Sequence, residues 1–346
     1  MSKVAIDLST VTTVGLDLAK HVFYVHAVDE AGEPVIAKAV RRGDLLSFFA
    51  SLPRCLVGME ACSSAHHWGR ELTALGHEVR LMPPAYVKPY VKRQKNDAAD
   101  AAAICEAVTR PSMRFVMLRS IDNQAMLMHH KVRETLVRQR TQIFNSLRGH
   151  LAEIGVIAAQ GPRNARALAG LLREGDPSIP PLVASALQPL VQQLDHLEEQ
   201  IAQCDAEITR LAKTDPVSTR LMSIPGIGPV TASAIAASVG DPSTFTGPRQ
   251  FAAFLGLVPQ QNSSGGKARL GRISKMGNAY IRKLLVVGAH SILYHCRRHR
   301  DPLRSWAAKL LETKPFKLVA VALANKLARI VFAVMKTSST YRAVQA

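Results

Sequence analysis

Along residues 13–108, short apolar runs alternate with amphipathic stretches. "TVGLD" and "HVFYVHAV" are rich in Val and aromatic residues and read as strands separated by a short polar break. "EAGEP" reads as a turn, and "VIAKAV" as a third strand pairing back. A helical segment near residues 45–51 leads to "CLVGME", whose apolar run suits a buried strand. "SAHHWGRELTALGH" then reads as a helix and "EVRLM" as another strand. "PPAYVKP" breaks the pattern, and the alanine-rich "KNDAADAAAI" that follows favours helix.

Three strands followed by helix–strand–helix–strand–helix predict an α/β domain over residues 1–112. This is the element order of a ribonuclease-H-like fold, and other α/β domains share it. Residues 113–215 are predicted to be mostly helical. Within them Leu190, Leu194, Leu197, Ile201, Cys204, Ile208 and Leu211 recur at alternating spacings of four and three, a heptad seam flanked by the charges of "DHLEEQ". Two readings fit that seam: a helix packed inside the chain's own bundle, or a coiled coil joining two protomers. Residues 216–346 are predicted to form a mainly α domain punctuated by Gly and Pro turns.

Charge changes the picture most in this last region. The 346-residue chain carries a formal net charge of +18, and residues 216–346 hold 19 Lys/Arg against 3 Asp/Glu. So basic a segment predicts a polyanionic partner, nucleic acid first. A membrane is not expected: the most apolar run, residues 318–335, is interrupted by Asn325, Lys326 and Arg329, which suits an amphipathic helix of a soluble protein. The acid in "MSKVAIDLST" argues against a signal peptide. Five cysteines with no C-x-x-C pair predict a reduced, cytoplasmic setting.

Candidate chemistry starts with Asp97 and Asp100. Three residues apart on a helix, they share a face and repel each other unless a positive partner intervenes. Asp17 closes the first predicted strand and Glu60 the fourth, and strand ends at a sheet's crevice are where such folds place ligands. Four converging carboxylates would suit a hard divalent cation, Mg2+ or Mn2+. A pair of such ions about 3.5–4 Å apart can support phosphodiester cleavage. Taken singly, each acid is better explained as a helix cap or a solvated charge; it is the set of four that points to a metal.

In "NSSGGKARLGRISK", Gly265 and Gly266 permit tight bending, while Lys267, Arg269, Arg272 and Lys275 supply positive charge. The stretch reads as a loop gripping phosphates, or as a nucleophilic serine beside stabilising cations. "IPGIGPVTA" resembles a helix-hairpin-helix, in which amides near Gly226 and Gly228 could hold a phosphate; a purely structural helix turn is the other reading. Basic stretches 88–95, 133–148 and 267–298 are expected to meet nucleic acid phosphates.

The chain resembles transposases of the insertion sequence 110 family, including its eleven-eleven branch. The likeness rests on "VGLDLAKHVFYVHAVDEAGEPV", "GMEACSSAHHWGREL", "KNDAADAAAI", "SIPGIGPVTASAIAASVGD", "RQFAAFLGLVPQQNSSGGK" and "GRISKMGNAYIRKLL", all in the family's order. The resemblance implies a Holliday-junction-resolvase-like (RuvC-like) domain whose Asp-Glu-Asp-Asp metal site corresponds to Asp17, Glu60, Asp97 and Asp100. It also implies a coiled-coil linker and a transposase domain whose catalytic serine corresponds to Ser264, with Ser263 as its neighbour. Implied partners are donor and target DNA, a guide (bridge) RNA and further copies of the chain in a dimer or tetramer.

Two other function classes compete. A two-metal, junction-resolvase-like nuclease would leave hydrolysed ends without a protein–DNA adduct. A non-catalytic architectural protein would bind nucleic acid without the four carboxylates, although acids near a phosphate would then only weaken binding.

Overall fold

Strand β1 (Thr13–Asp17) is almost wholly buried because it lies at the middle of a five-stranded sheet. Its neighbours are β2 (Val22–Val28) and β3 (Pro34–Arg41) on one side. On the other lie β4 (Leu56–Glu60), reached through α1 (Leu45–Ala50), and β5 (Glu78–Met82), reached through α2 (Ala65–Ala74). The order is β3-β2-β1-β4-β5, with β1, β2 and β3 antiparallel in sequence and β4 and β5 parallel to β1. A short helix, α3 (Pro84–Val87), precedes α4 (Asp97–Val108). This computed structural model describes residues 7–92, 96–263, 267, 269–297 and 301–343. It separates into two compact units, Met1–Ser120 and Ile121–Ala346.

In the first unit the alternation of strand side chains builds two layers. Val14, Leu16, Phe23, Val25, Val57 and Met59 point to the face covered by α1 and α2, where Phe49, Trp68 and Leu72 complete the core. The opposite face is covered by α4, with Ile104, Ala107 and Val108 packed beside Met82 and Val87. All five predicted strands and the alanine-rich helix are present, in the predicted order.

The second unit is helical. It comprises α5 (Ile121–Ala152), α6 (Pro162–Glu174), α7 (Pro181–Thr214), α8 (Pro216–Met222), α9 (Pro229–Val239) and α10 (Pro248–Phe254). A two-stranded ribbon follows, β6 (Pro259–Gln261) and β7 (Leu270–Ile273), and then α11 (Ala279–His295), α12 (Pro302–Leu311) and α13 (Phe316–Thr337).

The heptad seam of α7 is filled by the chain itself. Leu194 and Leu197 share a core with Phe144 and Leu147 of α5 and Leu168 and Leu172 of α6. Arg166 and Arg173 of α6 and Arg133 of α5 pair with Glu198, Asp195 and Asp205 of α7 along the margin. Helix α13 is long and apolar enough to cross a bilayer by length and composition. Here it is a core helix: Val319, Leu323, Leu327 and Val331 are buried against Phe251, Leu285 and Ile292.

Candidate active site

Both strands that carry an acid carry a glycine two residues earlier: Gly15 before Asp17, and Gly58 before Glu60. With a period of two, glycine and acid share a face. Helix α4 covers that face closely. A Cβ on Gly15 would lie 2.1 Å from the Ala101 carbonyl oxygen and 2.5 Å from the Cys105 nitrogen, and one on Gly58 would lie 2.8 Å from Val108 Cβ. The glycines thus let the helix backbone rest almost directly on the sheet.

The same contacts orient the helix. Cys105 reaches back to the Thr13 carbonyl at the start of β1 while Ala101 lies over Gly15, so α4 runs against β1, and its last residue, Val108, reaches Gly58 of β4. Asp97 precedes Ala101 by one turn on the sheet-facing stripe, and Asp100 lies beside it. Asn96 caps the helix by accepting the Ala99 N–H at 2.8 Å. Asp97 is therefore not the cap, the role it would otherwise fill.

Leu16 and Met59 are partners on the parallel pair β1 and β4, so Asp17 and Glu60 follow at the next rung, on strands about 4.8 Å apart. The Cys62 thiol senses both acids: burial pushes its pKa up first, and the charges of Glu60 and Asp17 add to the rise. Both acids engage in interactions with neighbouring groups. Secondary structure thus sets Asp17 and Glu60 on adjacent strand ends and Asp97 and Asp100 together in the first turn of α4.

Among the described residues, no three His, Cys, Asp or Glu side chains stand close enough together to hold a metal ion. The four acids therefore form no ligand shell. The donor set still fits a hard divalent cation, because carboxylate oxygens from adjacent strand ends and a helix start are what Mg2+ or Mn2+ requires. A separate cleft of about 520 Å3 runs along α4 past His26, Tyr90, Lys92, Glu106 and Arg110, and none of the four acids lines it.

In the second unit, Asn262, Ser263, Lys267 and Arg269 describe the tip of the ribbon β6–β7, and the serine-bearing stretch falls among them in sequence. Ser263 Oγ accepts the Arg269 N–H at 3.1 Å, and the Asn262 N–H donates to the Arg269 carbonyl at 2.9 Å, closing the ribbon. Ser264, Gly265 and Gly266 lie outside the described residues. Lys267, Arg269, Arg272 and Lys275 are all exposed around this tip and beyond it.

Gly226 adopts a positive φ of +80°, and a Cβ there would lie 2.8 Å from the Gly288 carbonyl oxygen. A Cβ on Gly288 would in turn meet the Gly226 carbonyl oxygen at 2.2 Å. Packing of the turn on α11 therefore accounts for Gly226. Gly228, exposed before the first turn of α9, has open space around it.

Sequence reasoning passed over three features. The repeated pattern V-G-x-acid in "VGLD" and "VGME" was the available signal for the close approach of α4. His66 is buried and accepts the Arg119 N–H at 3.3 Å; burial, with Arg119 and Arg70 nearby, lowers its pKa to about 4. It is a packing residue. His130 has no sequence signal at all. Its Nδ1 faces the Tyr280 hydroxyl at 3.1 Å and its Nε2 faces Ser233 Oγ at 3.0 Å, within a core formed by α5, α9 and α11.

Two family profiles match the chain. One described as "Transposase", of the type with an Asp-Glu-Asp-Asp site, covers residues 14–156, and one described as "Transposase IS116/IS110/IS902 family" covers residues 218–304. The chain is 47% identical over 331 residues to a probable family 20 transposase of Pseudomonas aeruginosa, covering 95% of this chain and 98% of that one. It is 39% identical over 334 residues to the transposase for insertion sequence element IS1328 of Yersinia enterocolitica, covering 96% and 99%. It is also 39% identical over 337 residues to the transposase for insertion sequence element IS1111A of Coxiella burnetii, covering 97% and 93%.

Proposed function

Because the chain belongs to the IS110 family of transposases, enzymes that cleave DNA, we propose that it is a guide-RNA-directed recombinase that cuts and rejoins strands through Ser264. In this reading the first unit is a ribonuclease-H-like, RuvC-like domain, and Asp17, Glu60, Asp97 and Asp100 hold Mg2+ or Mn2+. What supports it is the family match over residues 14–156, with Asp17 and Glu60 closing adjacent strands and Asp97 and Asp100 together in the first turn of α4.

Ser264 Oγ attacks the phosphorus. The Ser–O–P bond forms as the bond to the leaving deoxyribose oxygen breaks, and the proton given up by the serine hydroxyl is balanced by the one the leaving oxygen takes up to become a hydroxyl. The phosphoserine linkage keeps the bond energy, so a hydroxyl of another strand can reverse the step and rejoin DNA without an external energy source. A bound divalent ion supplies charge neutralisation at the scissile phosphate. Lys267, Arg269, Arg272 and Lys275 grip phosphates beside the serine. The Gly228 amide at the start of α9 is a further phosphate contact, with Gly226 shaping the turn. Ser263 has a structural task in closing the ribbon, which favours Ser264 as the nucleophile. Sequence choice rests on RNA–DNA pairing, which leaves the basic surface to read backbone and shape. A dimer or tetramer supplies two strands' worth of sites.

The test is trapping on denaturing gels with a plasmid carrying the element's ends. A metal-dependent protein–DNA adduct that disappears in Ser264→Ala and persists in Ser263→Ala supports the reading. Hydrolysed free ends with no adduct would instead identify a two-metal nuclease.

A further inference from the structure

The ribbon β6–β7 is short, and its residues are almost all exposed. A two-stranded ribbon of this kind is marginal by itself, so its direction must be set where it joins the core. At that base the two legs cross. Gly256 (φ +68°) and Gly277 (φ +71°) allow it: a Cβ on Gly256 would meet the Met276 carbonyl oxygen at 2.2 Å, and one on Gly277 the Phe254 carbonyl oxygen at 1.8 Å. Backbone bonds from Lys275 to Gly256 (3.1 Å) and from Ser274 to Val258 (2.8 Å) continue the pairing toward the strands.

Two side chains from the helical core lock this crossing. Arg282 on α11 donates from one guanidinium nitrogen to the Leu255 carbonyl at 2.9 Å and to the Met276 carbonyl at 2.8 Å, bridging the outgoing and returning legs. Asn325 on α13 donates from Nδ2 to the Leu257 carbonyl at 3.0 Å, two residues before β6 begins. Asn325 is one of the polar residues that interrupt the otherwise apolar α13, and this bond gives it a purpose there. Neither residue belongs to the stretch, residues 262–275, that carries the serines and the cations in the sequence.

We infer that Arg282 and Asn325 are positioning residues that aim the serine-bearing ribbon, acting on strand transfer through the ribbon's base. This rests on the reading of the tip serine as the nucleophile. An error of about 1 Å in placing a reacting group can cost about 100-fold in rate, and a lever pivoting at its base amplifies small shifts there.

The experiment uses the full chain with its copurifying RNA and a plasmid carrying the element's ends. Adduct formation rate, DNA retention and thermal unfolding are measured for wild type, Ser264→Ala, Arg282→Ala, Arg282→Lys and Asn325→Asp. Arg282→Ala is expected to slow adduct formation about 100-fold while still retaining DNA, with partial recovery on adding ethylguanidinium. Arg282→Lys is expected to fall between, since one ammonium cannot bridge both carbonyls in the same geometry. Asn325→Asp keeps the shape but replaces the donor with an acceptor, and decides the matter if Arg282→Ala fails to fold. Wild-type adduct rates in either Arg282→Ala or a folded Asn325→Asp overturn the inference, and so does a loss of adduct matched by an equal loss of DNA retention. Absence of an adduct in wild type, or its persistence in Ser264→Ala, overturns the nucleophile assignment instead.

Discussion

Replacing His130 tests the second unit's buried polar core through its pH dependence. Ser233 Oγ donates to the Pro229 carbonyl at 2.7 Å, so it accepts the His130 Nε2–H. Nδ1 is then the acceptor for the Tyr280 hydroxyl, and Tyr280 in turn is hydrogen-bonded to Arg133, which pairs with Asp205. Every site on the ring has a partner that suits the neutral form. Burial, reinforced by Arg133 and His129, lowers the His130 pKa from 6.5 to about 4. A histidine whose folded pKa is depressed takes up its proton more readily when unfolded. Its stabilising effect is therefore intact above pH 6.5 and is lost as pH falls toward 4. At 1.36 kcal/mol per pKa unit, the full loss below pH 4 is about 3 kcal/mol, and about 2 kcal/mol has gone by pH 5.

The assay is urea unfolding at pH 7 and pH 5 for wild type and His130→Gln. Each is placed in a Trp68→Phe background, so that Trp306, one of only two tryptophans, reports the second unit. His130→Gln is expected to be less stable at pH 7 by about 1–3 kcal/mol, because it disturbs satisfied buried partners. That deficit should shrink by about 2 kcal/mol at pH 5, where only wild type carries the titrating group. A deficit equal at both pH values would refute the assigned protonation state. Other titrating groups are common to both proteins and cancel in the difference.

Further outcomes concern packing and accessibility. Gly15→Ala drives a methyl into the α4 backbone and should cost about 1–3 kcal/mol in thermal or urea unfolding. It should also reduce strand cleavage by lifting Asp97 and Asp100. Gly58→Ala meets only the Val108 side chain, at its Cβ and both methyls, so adding Val108→Ala, which removes the methyls but keeps the Cβ, should recover part of the loss, a coupling visible in a double-mutant cycle. Gly226→Ala should destabilise the second unit more than Gly228→Ala, since only Gly226 combines positive φ with backbone crowding. In native thiol labelling at pH 8, exposed Cys62 should react. Cys55 and Cys105 should not, since burial pushes them up to about 11 and about 12; peptide mapping of the labelled sites checks this.

Much of the first unit was legible because its signals are local. Five short β-rich runs in order, two of them ending in an acid, needed only strand periodicity. "NDAAD" needed only helix periodicity to put two acids on one face. The heptad of α7 was equally visible, but periodicity says that a helix face is apolar without saying what covers it. The structure supplies α5 and α6 as the cover, through Phe144, Leu147 and Leu168. Asn325 looked like a mere interruption of an apolar helix, and Arg282 like one more basic residue. Their carbonyl partners lie 68 and 27 positions away in the chain.

By itself the sequence determined the order of the elements, the residues that alternate inward and outward, and the concentration of positive charge in residues 216–346. These follow from interactions between near neighbours and from composition. Only the tertiary structure decided that the α4 backbone rests on Gly15 of β1, that the α7 seam closes on its own chain, and that a ribbon's base is held by α11 and α13. Those outcomes depend on which distant surfaces fit without clash, and on glycine backbones approaching more closely than any side chain would permit.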